Sequence, residues 1–548
     1  GTMPHRSTAR PSTRGQPAAL VTGVGVVVVV LILLAPVVIG PIRLVGSAFA
    51  RGEGVLAEVI ASFTSPALVS AAWAVGVITL IAVALGWAIG RAMARGGWWS
   101  AVLLLPPLLP SYLAYAGFNA LRGPGTPAGD WLALLAQDGH RWAPVFAGRA
   151  LAVIALGLWA APIAGLLVAR GLRAMGDVDA LARLDGAPWW RRELQLLRAC
   201  RSSLLASAVL VGVIMLGSAV PLHVAQLQTP AIRAWRLLAE VSPESWWRAW
   251  ASVAPGALVS LVVAALVVRG VAAWRPAEAG ETPRAGAVAL LAWLGVALAV
   301  LAPTIALGAT VRDVEVVRTF WSLHAGALGW SVATAAIAAG GAMVVCLLAA
   351  HAASDGGRCL RAVLLMLLAL SVWVALLPGV LVGASVAQLG LSEGSGAVLH
   401  AAGARFVAFP LLAGLLLALS EEAATRDARR LDAPGSVVGS ALTWLLAALP
   451  GHARGVLGAA LVVGVLTLHE IEASVVVQPI GVRGMPRVLL DALHFARDDE
   501  LAAGVLGLLL AAVAVALPAA WAIRPRAHRN REHNPRAGQP IIGPPGTG

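Results

Sequence analysis

The chain has 548 residues, of which 59% are hydrophobic and 12% charged, about half the charged share of an ordinary soluble protein. That balance excludes a soluble globular protein and makes the chain a polytopic membrane protein. The formal net charge is +13 and all 40 basic residues are Arg; without Lys the chain has neither a Walker A phosphate loop nor Schiff-base chemistry of its own.

Apolar runs long enough to cross a hydrocarbon core recur near 19–41, 66–90, 98–117, 143–169, 203–222, 250–268, 286–310, 325–350, 362–387, 403–420, 453–477 and 501–523. They predict about twelve transmembrane helices. The first run has a basic flank and an AFA tripeptide at 48–50, ingredients of a cleaved signal peptide. It is longer than a usual signal core, and cleavage would leave an odd number of spans, so a retained first helix is expected. Residues 1–18 and 524–548 form basic tails carrying Arg6, Arg10 and Arg14, and Arg524, Arg526, Arg529, Arg531 and Arg536. With the N-terminus inside, most arginines fall on cytoplasmic segments, where the tails meet anionic membrane lipid. No nucleic-acid motif accompanies this charge. Cys200, Cys346 and Cys359 lack metal-site spacing and read as reduced thiols.

Between the fourth and fifth runs, DVDALARLDGAPWWRRELQLLRACRSS (177–203) carries a short amphipathic helix. Leu181 and Leu184 share one of its faces, and Gly186 followed by Pro188 stops it. Such a helix is too short to stand alone and depends on packing against something. Residues 270–285, rich in Pro, Gly and charge, read as a cytoplasmic linker.

Beyond the linker the chain repeats itself. PIAGLLVA (162–169) before RLDGAP (183–188) is answered by PLLAGLLLA (410–418) before RLDAP (430–434), Pro106 by Pro378, and Gln226 by Gln478. Six spans per half give both halves one orientation. The expected architecture is therefore an all-α polytopic membrane protein of two parallel six-helix repeats, 19–269 and 286–523. The second repeat has its own loop, 421–454, with a short helix through Ala428, Leu431 and Asp432 that ends at Pro434-Gly435. Two such loops on one side of the membrane favour docking to a two-fold partner. His351 and Asp355 read as solvated residues of a short turn, and Asp498, Asp499 and Glu500 as caps on the last helix.

The stretch VLTLHEIEASVVVQP (465–479) places His469, Glu470 and Glu472 inside an apolar run. Charge at membrane depth faces a bundle interior or a watery path, or reaches the interface. Glu470 lies roughly 25 Å along a helix that starts near Arg454, toward its outer end, and its counterpart in the first repeat is Gly217-Ser218. Two readings stay open: an interfacial anchor, or a substrate path through His469, Glu470, Ser474 and Ser218. Metal ligation is disfavoured, because His469 and Glu472 make only two ligands.

These motifs resemble the permease subunits of binding-protein-dependent ABC importers, whose signature is Glu-Ala-Ala, three residues and Gly in a cytoplasmic loop, with a later Leu-Pro. ALARLDGAP (180–188) matches through Ala182, Gly186 and Ala187, with Ala180 where Glu is usual and Arg198-Ala199 where Leu-Pro is expected. DARRLDAP (427–434) keeps the acid but has Ala433 for Gly, and Leu449-Pro450 follows a few residues late. The segment 469–504, with Glu470 twenty residues after Pro450 and then Ala473-Ser474, is similar to the fused two-repeat iron(III)-type permeases. The resemblance implies a transporter subunit that is not itself an enzyme, set in a bacterial inner membrane with both termini cytoplasmic. Two copies of an ABC ATPase, which bind the ATP, would dock at Leu181, Ala182, Leu184, Asp185, Gly186 and Ala187, and at Ala428, Leu431, Asp432 and Ala433. A solute-binding protein would deliver cargo from outside. Iron(III) is one cargo so implied; thiamine, polyamines, sulfate and phosphonates are associated with related permeases. The alternative is a twelve-helix secondary transporter driven by an ion gradient, which is expected to carry coupling carboxylates or His deep in the membrane. The spans are almost free of such charge, and GRAMARGG (90–97) lacks the Asp of the best-known secondary-carrier loop.

Overall fold

The computed structural model describes residues 16–96, 99–173, 175–240, 242–274, 288–311, 313–389, 394–422, 426–429 and 436–523. Among them all regular structure is helical. The first half runs through α1 (Gln16–Ala50), α2 (Val55–Ser62), α3 (Pro66–Ala94), α4 (Trp99–Val102), α5 (Ser111–Ala120), α6 (Pro127–Gln137) and α7 (Trp142–Arg173). It continues with α8 (Gly176–Leu184), α9 (Trp189–Ala199), α10 (Arg201–Gly217), α11 (Val220–Val224), α12 (Pro230–Ala239), α13 (Pro243–Ser252) and α14 (Ala254–Ala272). The second half comprises α15 (Val288–Gly308), α16 (Val314–Asp355), α17 (Arg358–Ala375), α18 (Gly379–Leu389), α19 (Ser395–Phe406), α20 (Ala408–Ser420) and a single turn, α21 (426–429). The chain closes with α22 (Val437–His469), α23 (Ser474–Val477), α24 (Met485–His494) and α25 (Asp498–Ile523).

Among the described residues eight helices are long and apolar enough to cross a membrane, or ten if the bent pairs α9 with α10 (64°) and α19 with α20 (46°) each count as one span. The chain is thus a multi-pass α-helical membrane protein. The apolar run 98–117 is not one straight helix. It divides into α4, a 3₁₀ turn at Pro106–Leu108 and α5, because Pro106, Pro107 and Pro110 remove donors from the helical ladder and clash with the preceding turn. Pro378 separates α17 from α18 in the same way.

Small residues let the long helices approach closely, which is how helices pack where lipid offers no hydrophobic contrast. A Cβ on Gly86 of α3 would lie 2.6 Å from the Ala164 Cβ and 3.1 Å from the Ala161 carbonyl oxygen of α7. Gly157 and Gly165 of α7 receive Ile81 and Ile89 of α3 in return. In the second half Gly414 of α20 meets the backbone of α16 at Cys346 and Ala350.

The first helix of each half packs on the other half. Val26, Val30 and Leu34 of α1 lie in one core with Val345 and Ala349 of α16 and Leu364 and Leu368 of α17. Two polar contacts follow the same path: Thr22 Oγ1 is 3.1 Å from His351 Nδ1, and His400 Nε2 is 3.2 Å from the Leu33 carbonyl. Conversely, Ala292 and Val296 of α15 are buried against Ile89, Val168 and Leu172 of α3 and α7, and Gly117 of α5 faces Pro303 of α15. The halves are interlocked by this exchange rather than laid side by side.

Candidate functional site

Three helix interruptions meet at one buried charge cluster. Helix α10 ends at Ser218 with extended geometry (φ −82°, ψ 117°) before the chain restarts as α11. Helix α22 ends at Glu470 with nearly the same geometry (φ −69°, ψ 117°) before α23. The third interruption is Pro378-Gly379, where α18 begins. Each break leaves backbone N–H groups without intrahelical acceptors, and in an apolar setting every one of them needs a partner.

Glu472 supplies that partner to both halves. Its Oε1 accepts from the Ala219 and Val220 N–H groups at 2.7 and 3.2 Å, and its Oε2 accepts from the Gly379 N–H at 3.2 Å. Arg405, from α19, donates through Nη2 to Glu472 Oε2 at 3.2 Å and through Nη1 to Glu470 Oε2 at 2.5 Å. Glu470 Oε1 accepts from the Ala473 N–H at 2.7 Å. Side-chain exposure is 7% for each carboxylate and 15% for the guanidinium. Buried ions persist only when paired and hydrogen-bonded; here one guanidinium and four backbone N–H groups serve two carboxylates. Gly379 is required by crowding, since a Cβ there would run into Arg405 and approach the Glu472 Cβ to 2.7 Å.

The sequence expectations divide accordingly. The Glu470 side chain is 7% exposed and paired with Arg405. Ser474 sits beside it, donating to the Glu470 carbonyl at 2.7 Å, while Ser218 donates to the Ile214 carbonyl at 2.8 Å and stands next to the Ala219 N–H that Glu472 holds. His469 is half-buried at the end of α22. Among the described residues no group of three His, Cys, Asp or Glu side chains is placed to hold a metal ion. Beside Glu470 lies a cavity of about 20 Å³, bordered by Ser331, Thr334, Thr467, Ser474 and Gln478. Thr467 Oγ1 and Gln478 Nε2 have no protein partner, and a space of this size admits a water that would serve them.

Neither Arg405 nor the spanning role of Glu472 is among the site features that the sequence motifs mark. The signal was present: Arg405 stands in AAGARFVAFP (401–410), an apolar run, and a lone cation there calls for an anion at the same depth.

The loops lie at the opposite ends of these helices. In α8 Leu181 and Leu184 are 60% and 83% exposed, while Ala182 is buried. The helix ends as the sequence predicts. Gly186 has φ +68°, its N–H donates to the Arg183 carbonyl and the Ala187 N–H to the Ala182 carbonyl, both at 3.0 Å, the paired bonds of a Schellman end. Asp185 is the exposed C-cap. In the second loop Ala428 is exposed within α21; Leu431, Asp432 and Ala433 lie outside the described residues.

One reading is corrected. His351 and Asp355 are not solvated but 2% and 3% exposed, in the last two turns of α16. Asp355 is held by the Arg429 guanidinium through Nη1 at 2.5 Å and Nη2 at 3.1 Å. Burial by itself would lower the Arg429 pKa, but the Asp355 and Glu421 carboxylates outweigh it and hold the value above its ordinary one. Spacing alone reads HAASDGG (351–357) as a polar turn; the cation that draws it inward is far along the chain. All three cysteines are free. Comparison with known protein families, with curated proteins and with solved structures finds no match for this chain.

Proposed function

We propose that this chain is the permease subunit of an ABC importer, forming a substrate pathway between two exchanged halves and coupling it to a separate ATPase. Helix α8 carries the reading. A nine-residue helix with a glycine-closed end presents two bare leucines from a loop between membrane helices, and an apolar face this exposed on so short a helix needs a partner to cover it. The like order of helix breaks in both halves supports a two-fold arrangement, with one ATPase copy per loop. Both termini would be cytoplasmic, a solute-binding protein would deliver the cargo, and iron(III) is the cargo suggested by the sequence resemblance.

The buried Arg405, Glu470 and Glu472 favour a second reading, the ion-gradient transporter, because carboxylates inside a bundle are what such carriers use. Against it, both carboxylates are already engaged by Arg405 and backbone donors. Affinity purification of the tagged chain from its native membranes separates the two. The importer reading expects an ATP-hydrolysing subunit in a two-to-one ratio, lost in Leu181→Asp/Leu184→Asp while membrane insertion persists. A chain recovered alone that drives uptake in liposomes from an ion gradient without ATP overturns it.

A further inference from the structure

Each loop is fastened to the helical body by an ion pair with its helix-side partner buried, and the two pairs run in opposite senses. In the first half the cation is on the helix: Arg91, in the last turn of α3, donates through Nη2 to Glu193 Oε1 of α9 at 2.9 Å. The Trp87 indole N–H donates to the other Glu193 oxygen at 3.3 Å. In the second half the anion is on the helix: Asp355, the last residue of α16, receives Arg429 of the loop, with Glu421 Oε1 a further 3.2 Å partner of Arg429. Side-chain exposures are 4% for Arg91, 20% for Glu193, 2% for Asp355 and 4% for Arg429.

An exposed loop held only for stability needs no such arrangement, since a desolvated ion pair is often no better than an apolar contact of equal volume. What a buried pair does supply is discrimination: a like-charge mismatch in the same place is strongly unfavourable. Exchanging the loops between helices would set Arg91 against Arg429 and Asp355 against Glu193.

We propose that Arg91–Glu193 and Asp355–Arg429 are the joints through which each loop moves its own long helix, α3 or α16, and that their opposite polarity keeps each loop on that helix. The four residues are positioning residues, and the assignment rests on the reading of the loops as ATPase-docking sites. When a partner displaces a loop, a short joint carries the movement to the helix; a loosened joint lets the loop move alone. ATP hydrolysis then continues while transport falls.

The test is the ratio of solute uptake to ATP hydrolysis, measured per assembled complex in liposomes for wild type, Glu193→Arg, Arg91→Glu, the doubly reversed Arg91→Glu/Glu193→Arg, and the milder Glu193→Gln and Arg429→Gln. The single reversals should lower the ratio by roughly tenfold or more, because each leaves a poorly hydrated charge facing one of its own sign. The glutamine variants should lower it less, and the double reversal should restore most of it. Unchanged ratios in all singles, with reduced yield only, would make the pairs purely structural and overturn the proposal. So would a double reversal no better than its singles while the glutamine variants couple normally. A wild-type chain that assembles with no ATPase overturns the docking reading itself, an outcome visible before any variant is made.

Discussion

At the residue scale the cluster around Glu472 sets unequal consequences for two adjacent acids. Glu472→Gln removes one of two charges facing Arg405 and weakens the acceptor for three backbone N–H groups at once. Breaking a buried pair in this way costs about 3–5 kcal/mol. Glu470→Gln leaves Arg405 with Glu472 and should cost about 1–3 kcal/mol. Thermal unfolding of the nanodisc-embedded protein should place Glu472→Gln well below Glu470→Gln; the reverse order would contradict the bonding described. If Glu470 also lines the pathway, its variant loses uptake while keeping its fold, and Ser218→Ala loses less. His223 offers a separate test. Its ring lies 6.0 Å from His494 and 6.3 Å from Trp235. Desolvation, then the neighbouring His494 and Arg236, hold its pKa below the ordinary value. The unfolded chain therefore takes up the proton first, so stability present above about pH 6.5 is lost as pH falls below it. The effect is small because the ring is partly open to solvent. Melting curves of His223→Gln should fall less between about pH 7.5 and 5.5 than those of wild type.

At the element scale the end of α8 was readable in advance because its cause is local. Gly186 sits where a left-handed residue closes a helix, and the chain's own bonds there need nothing from elsewhere. Gly186→Val forces a β-branched residue into φ +68°, which costs about 1–2 kcal/mol. If α8 docks an ATPase as proposed, the variant should weaken that capture several-fold while leaving membrane insertion intact, as measured by co-purification against membrane yield. The split of the 98–117 run was carried by Pro106, Pro107 and Pro110 and could have been inferred from them; hydropathy averaged over the window hid it. What no local pattern contains is the partner of Arg405 or of Asp355. Those pairs join residues 65 to 74 positions apart, and only the packing of α19 on α23, and of the second loop on α16, brings them together.

At the scale of the whole molecule the exchange of first helices is the feature the sequence least discloses, since α1 and α15 are apolar on every side and mark no preferred face. It predicts that neither half stands alone. Co-expressed as separate chains divided within 275–287, the halves should co-purify as one complex. Expressed singly, each should be degraded or aggregate, because α1 would lose α16 and α17, and α3 and α7 would lose α15. A monodisperse single half would contradict the interlocking. The exchange also imposes an order in time. Helix α1 is made early, yet its packing partners around Val345 and Leu364 are added more than 300 residues later, roughly 15 to 60 s at ordinary translation rates. Through that interval the face that meets α16 and α17 has only lipid for company, while the C-terminal end of α1 can already pack on α2 and α13. Its window is the most apolar of the candidate spans, as suits a segment with a face that must wait in the bilayer for helices not yet made.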